Sequence, residues 1–362
     1  MSMTLHEATR IYTGDAKNPS LLSFARRRSL LLPQVLPIWK SVFDSSPGYR
    51  YELLIAERNG TVVGYLPFVQ VEGPMGAFVQ STALLAYGGP ITGDATIARE
   101  LMLSLVERSR EAGAVSLTIG LPPFADELTC SAVDEALRPE YRHENFFQYS
   151  LLEGHPLDHM TKKRRSAFRS EIARARSSGL VLDDRPTSDD LNQWLSVYGT
   201  RYREIGARPY PRAFFEGIYR DLLPAGHAAM IVARHEGAVI GGTIFLLGVR
   251  AADYFATAFR SEWMSQYPAT WVLDEMFTRL IAEGFTHFNW ESSPGREGVY
   301  QFKQRWGAVE GRHSYCTRIL GDVVPWISRP KEDVSRYYPG CFVLPFSLWP
   351  ADNHTAKLET EA

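Results

Sequence analysis

The chain repeats itself, and that repeat limits its possible folds more than any other feature. Residues 51–71, YELLIAERNGTVVGYLPFVQV, read as two strands joined by an Asn59-Gly60 turn. Residues 228–248, AAMIVARHEGAVIGGTIFLLG, read the same way about Glu236-Gly237. Superposed, Ala56 falls on Ala233, Gly60 on Gly237, Val62 on Val239 and Gly64 on Gly241. The turn glycine supplies positive φ. The strand glycine marks a bulge or a crowded point. What comes next also matches. The segment ATIARELMLSLVERSREAG (95–113) has helical apolar spacing, stops at Gly113 and leads into AVSLTIG. The segment PATWVLDEMFTRLIAEG (268–284) begins at Pro268, stops at Gly284 and leads into FTHFNWE.

Each copy therefore predicts helices, an antiparallel hairpin, a third strand, a long helix and a further strand. That order gives an α/β fold: two tandem domains with mixed central sheets flanked by helices. A chain of 362 residues is long enough for two cores. The sequence divides into a first domain over 1–150, a second over 151–320 and a tail over 321–362. The tail, with PWISRP and YYPGCFVLPFSLWP, reads as a strap packed across a domain surface. The stretch TKKRRSAFRSEIARARSSG (161–179) is predicted as a helix opening the second domain, with Thr161 as N-cap and Gly179 as stop. On a helical wheel Phe168, Ile172 and Ala175 form its apolar face. Lys162, Arg165, Arg169 and Arg176 run along one border, while Lys163, Arg164 and Arg174 point to the surface.

Composition excludes several classes. Net charge is -2, so nucleic acid is at most a local partner. Three scattered cysteines, Cys130, Cys316 and Cys341, suggest neither a disulfide framework nor a zinc site. His155 and His159 are split by Pro156 and have no third ligand nearby, so no metal is expected. The start lacks a signal-peptide pattern, and no apolar run reaches the roughly 18 residues of a membrane span. A cytoplasmic protein is expected. Covalent-nucleophile, Walker, Rossmann and zincin motifs are missing, which leaves chemistry that needs no covalent intermediate or tight nucleotide loop.

The element order resembles the GNAT acyltransferase fold, and the pair of copies resembles the Fem-type family. The residues that carry this resemblance are AERNGTVVGYLPF and AYGGP (86–90) in the first copy and FRSEIARARSSGL (168–180) in the linker helix. In the second copy they are RYREIGARPYPRAFF (201–215) and YQFKQRWGAVEG (300–311), which is similar to an F-K-x-x-W-G signature. The family comprises bacterial nonribosomal peptidyl transferases and acyltransferase relatives. It implies transfer of an acyl group, often from aminoacyl-tRNA, to an amine of a cell-wall (peptidoglycan) precursor. The long helical arm of some members has no counterpart here.

Acyl transfer to an amine needs a neutral nucleophile, a held carbonyl and a stabilised oxyanion. The resemblance makes Lys303 the first candidate, as a cation for the oxyanion or for a phosphate. Phe302 and Trp306 lie four apart on the same helix and pack inward, with Trp306 as a wall of the site. Arg305 adds charge beside Lys303. Arg165 and Arg169 suit the phosphates of a nucleotide- or tRNA-linked substrate. Glu291, at the end of FTHFNWE, is the candidate proton acceptor, with Asp253 and Tyr254 as rivals. Tyr87 and Gly88 read as a turn first and a substrate contact second. Acetyl-CoA-dependent GNAT domains usually carry a Gly-rich loop before the long helix. Neither Ser265–Thr270 nor Tyr87–Asp94 keeps one, and Pro268 removes an N–H. The expected donor is therefore aminoacyl-tRNA rather than acyl-CoA, with no resident cofactor. Alternatives are a thioester-dependent N-acyltransferase, on coenzyme A or a carrier protein, and a non-catalytic nucleotide-glycan binding module.

Overall fold

The computed structural model describes residues 9–44, 48–81, 87–206, 209–292, 296–338 and 341–349. Ala86, Ala207, Arg208, Pro339, Gly340 and Pro350 of the segments quoted above lie outside them. In chain order, β1 (Arg10–Thr13), α1 (Pro19–Arg26) and α2 (Trp39–Phe43) precede the hairpin β2 (Tyr49–Arg58) and β3 (Thr61–Gly73). Then come β4 (Gly76–Gln80), the short β5 (Ile91–Thr92), α3 (Ala95–Glu111), β6 (Ala114–Gly120), α4 (Glu127–Leu137) and β7 (Tyr141–Leu151). The basic helix α5 (Lys162–Ser177) leads to β8 (Leu180–Asp183), α6 (Ser188–Glu204), α7 (Arg212–Gly217) and the second hairpin, β9 (Ala228–His235) and β10 (Ala238–Leu247). The rest is β11 (Ala251–Phe259), α8 (Pro268–Ala282), β12 (His287–Glu291), α9 (Glu297–Arg305), β13 (Val309–Ile319), α10 (Val324–Ile327) and α11 (Lys331–Tyr337).

The chain forms two compact units. One takes residues 1–24, 47–144 and 313–362, and the other takes 25–46 and 145–312. In the first, β1, β2, β3 and β4 pair antiparallel in that order. β4 then runs parallel to β6, which pairs antiparallel with Tyr315–Ile319 of β13. In the second, β8, β9, β10 and β11 pair antiparallel. β11 runs parallel to β12, which pairs antiparallel with the Gln148–Leu151 end of β7. The duplication is thus real at the level of topology, and each unit is a mixed sheet with its long helix in the parallel crossover. The final strands are exchanged. β7 follows the helices of the first unit yet closes the second sheet, and β13 does the reverse.

Local chemistry accounts for these elements. Both hairpin turns have positive φ at both central residues, 52° and 73° at Asn59-Gly60 and 49° and 85° at Glu236-Gly237. Such turns carry the right-handed twist of the flanking strands. Beyond each turn the register shifts, and Ala56 pairs with Gly64 as Ala233 pairs with Gly241. Asp94 caps α3 through the N–H groups of Thr96 and Ile97, and Thr161 caps α5 through that of Arg164. Phe168, Ile172 and Ala175 are the buried face of α5, as the wheel predicts. Phe168 and Ile172 join Phe277, Phe288, Trp290 and Trp306 in the core of the second unit. The first unit packs α3 and α4 on its sheet through Leu101, Leu105, Leu117 and Val133. The tail belongs to the first unit: Trp326, Val334 and Tyr338 are buried, and the Tyr338 hydroxyl accepts from Met75 N–H and donates to Gly76 O, both at 3.0 Å. Among the described residues no helix exceeds the 17 residues of α3 and α6, so no long arm is present. None is long and apolar enough to cross a membrane.

Candidate active site

In the second unit Lys303, Glu291 and Asp253 come together where β11 and β12 part. The two strands pair only through Ala251–Asp253 with His287–Asn289. Each is bulged just beyond that point. In β11 Phe255 is left unmatched between Tyr254 and Ala256, and in β12 Trp290 is left unmatched between Asn289 and Glu291. A bulge re-aims the side chains that follow it. Glu291 also has φ of +61°, an uncommon conformation for a side-chain-bearing residue and one that costs on the order of 1 kcal/mol. The kink turns the strand end so that two successive carbonyls, Glu291 O and Ser292 O, face one side chain. That side chain is Lys303 of α9, whose ammonium donates to them at 3.1 and 3.3 Å.

Lys303 is 3% exposed. Burial pushes its pKa down to about 8, against the opposing pull of Glu291. An ammonium held this way is a directed cation on the edge of protonation, suited to meeting a negative charge that develops beside it. The Glu291 carboxyl faces Asp253 of β11, which is fully buried. Asp253 is held well above the usual carboxylate range, by burial first and by Glu291 second. Gln34, in a 3-10 turn over Pro33–Val35, reaches both. It donates to Asp253 Oδ2 and lies 3.4 Å from Glu291 Oε1. Asn289 flanks Asp253, and Gln148 ties β7 to α9 by donating to Tyr300 O at 3.3 Å.

The structure brings Lys303, Glu291 and the rival base Asp253 together. Tyr254 and Trp306 are core side chains. Tyr254 packs on Phe245 and Trp290, and burial pushes its phenol up to about 12. Trp306 packs on Phe168 and Phe277. Phe302 is half-buried against the same core. Arg305 is engaged by Glu171 of α5 and lies over the Phe168 ring at 4.9 Å. Arg164, expected on the surface, instead donates to Gln304 O and fastens α5 to α9. Arg165 is half-exposed on α5. Arg169 is exposed and lines an open groove with Arg176, His155 and Asp274. Arg176 is committed to Asp274 and Glu275, which leaves less basic charge on that border than the wheel implies.

Tyr87 and Gly88 lie in the first unit. Tyr87 is buried with its ring edge-on to His313, and Gly88 N–H donates to Gly120 O at 2.8 Å. A Cβ at Gly88 would stand 2.5 Å from Ser81 Cβ, so the close approach itself demands glycine. Sequence reasoning missed Gln34, Asn289 and Gln148. Only Gln34 left a trace, as the one polar residue between two prolines in the apolar run LLLPQVLPIW.

Residues 162–304 match a family model described as an acetyltransferase (GNAT) domain. No curated protein is similar enough in sequence to count as a relative. Among solved structures, FemX is 12% identical with a TM-score of 0.67, covering 85% of this chain and 97% of its own. A tandem GNAT protein from the clavulanic acid biosynthesis pathway is 15% identical with a TM-score of 0.53, covering 87% of this chain and 99% of its own. The C-terminal domain of a putative lysylphosphatidylglycerol synthetase from Agrobacterium fabrum is 12% identical with a TM-score of 0.56, covering 91% and 98%. At these identities the likeness is one of fold, and the fold is that of tandem GNAT proteins.

Proposed function

We propose, from the premise that this chain is a GNAT-type acyltransferase, that it moves an aminoacyl group from aminoacyl-tRNA to an amine. The observation that carries this reading is Lys303. Core packing gives no reason to bury an ammonium, and this one is aimed by two carbonyls at the point where β11 and β12 part. There it meets the oxygen of the acyl carbonyl as the amine attacks, and stabilises the negative charge that forms. Glu291 takes the proton that the amine nitrogen must lose. Arg165 and Arg169 on α5 serve the phosphates of the donor's nucleic acid end. The acceptor is an amine on a cell-envelope precursor or a small metabolite, and the reaction belongs to the cytoplasm, where charged tRNA is made.

The N-terminus of α8 supports tRNA over coenzyme A. A pyrophosphate needs free N–H groups there, and Pro268 at the first helical position has none. Tyr267 before it adopts φ of +57°. A thioester donor is the second reading, because the edge of β11 beyond Asp253 leaves β12 and is shaped to take an extended chain.

The test is incubation with a pool of charged tRNAs and candidate amines, followed by mass spectrometry of the products. Aminoacylated product that disappears after RNase treatment supports the tRNA donor. Amine-dependent thiol release from acyl-CoA supports the second reading. Lys303→Ala is expected to lower turnover by about 10²–10³-fold, as loss of an oxyanion donor does elsewhere. Unchanged turnover in a folded Lys303→Ala protein would remove Lys303 from the reaction.

A further inference from the structure

Gln34 is 4% exposed, yet its amide nitrogen spans two carboxyl groups, Asp253 and Glu291. Among the described residues, Asn289, which is neutral, and Lys303, the cation beside Glu291, also face this pair. Asp253 Oδ1 and Gln34 Oε1 have no hydrogen-bond partner among the described residues. Two ionised carboxylates placed together at this depth repel each other and lose their hydration. One proton held between them removes most of that penalty, as in other paired carboxyl groups.

We propose that Gln34 is a positioning residue that clamps Asp253 and Glu291 into a pair carrying a single proton, and that this pair takes a second proton from the acceptor amine. The inference deepens the reading of the site as an amine-acylating centre and rests on it. As the C–N bond forms, the amine nitrogen becomes positively charged and passes one proton to the pair. As the C–O bond of the donor ester breaks, or the C–S bond of a thioester, the departing oxygen or sulfur takes a proton back. The pair ends with the single proton it began with, and no oxidant, reductant or further reactant is needed. Glu291 touches the substrate in this scheme. Asp253 and Gln34 act through it.

Two measurements test the proposal. The first is infrared spectroscopy of the whole wild-type protein at neutral pH, which requires no substrate. The band of a buried protonated carboxyl, sensitive to deuterium exchange, is expected and should be lost in Asp253→Asn. The second is the pH profile of Gln34→Met, which keeps the length of the side chain and removes its N–H donors. A donor to a carboxylate favours the ionised form, so its removal makes the pair hold protons more tightly. The acid limb of kcat/KM is expected to move up by about one pH unit, with the KM for the donor within about twofold of wild type. Absence of the band in wild type overturns the proposal even if Gln34→Met fails to fold. So does a folded Gln34→Met protein with an unmoved acid limb. A wild-type protein that shows the band but acylates no amine instead overturns the functional reading and leaves the one-proton pair standing.

Discussion

In its proposed role, Lys303 sets a conflict between stability and reaction. Its pKa is lowered in the folded protein from 10.5 to about 8, so folding disfavours its charged form. Between those two values the unfolded chain binds more protons, and stability rises with pH. Below pH 8 the full penalty applies, on the order of 3 kcal/mol, and above 10.5 it vanishes. Lys303→Met should therefore raise the melting temperature at pH 7 and lose that advantage near pH 10.5, while lowering turnover as Lys303→Ala does. Calorimetry at the two values checks it. An equal effect at both would mean that packing, not charge, decides the outcome. Turnover itself should fall as pH rises through about 8, where the ammonium is lost. Glu291 carries a second strain of this kind in its backbone. Glu291→Gly and Glu291→Ala both remove the carboxylate, but only glycine relaxes the φ of +61°. The glycine variant should be more stable than the alanine variant by about 1 kcal/mol in denaturant unfolding.

At the scale of elements, the copies follow one plan with unequal tolerances. Gly64 and Gly241 are matched by the repeat and paired alike with Ala56 and Ala233. A Cβ on Gly64 would stand 2.9 Å from Ile97 Cγ2 and 3.0 Å from Thr92 Cβ, both side-chain atoms. On Gly241 it would stand 2.6 Å from both Ala258 O and Phe259 Cα, which belong to the neighbouring strand backbone. Side chains can give way by a few tenths of an ångström, and a paired strand cannot. Gly241→Ala should thus cost more than Gly64→Ala, by about 1–2 kcal/mol on the scale of overpacked cores, measured by chemical denaturation. Period and punctuation made these elements readable from sequence: the two turns, the Thr161 cap and the Phe168–Ile172–Ala175 face of α5 each follow from local rules. The site was only half readable. Lys303 and Glu291 were found from a motif and a strand end. Gln34 lies more than two hundred residues from its partners, and no period or spacing links a glutamine in LLLPQVLPIW to Asp253.

The exchange of final strands is the feature of the whole molecule that local rules could not reveal, because pairing partners leave no mark in hydrophobic pattern. Its consequence is that neither sequence half contains a finished sheet. A fragment of residues 1–150 would hold β1 to β6 and also β7, but the observed partner of β6 is Tyr315–Ile319. It would also lack Trp326 and Tyr338, which pack on its own strands, with Tyr338 bonded to Met75 and Gly76. β6 is buried along its whole length, so the fragment would expose an apolar strand edge. Such a fragment should be aggregated or unfolded by circular dichroism and sedimentation. Co-expression with residues 151–362, which supply β13 and the tail, should recover a soluble complex. If the two domains were instead independent, the 1–150 fragment would fold alone through β7 in place of β13 and would show a cooperative unfolding transition of its own. Hydrogen exchange separates the cases at one place, since the amide of Leu121, which donates to Ser314 O of β13, is protected only when that strand is present.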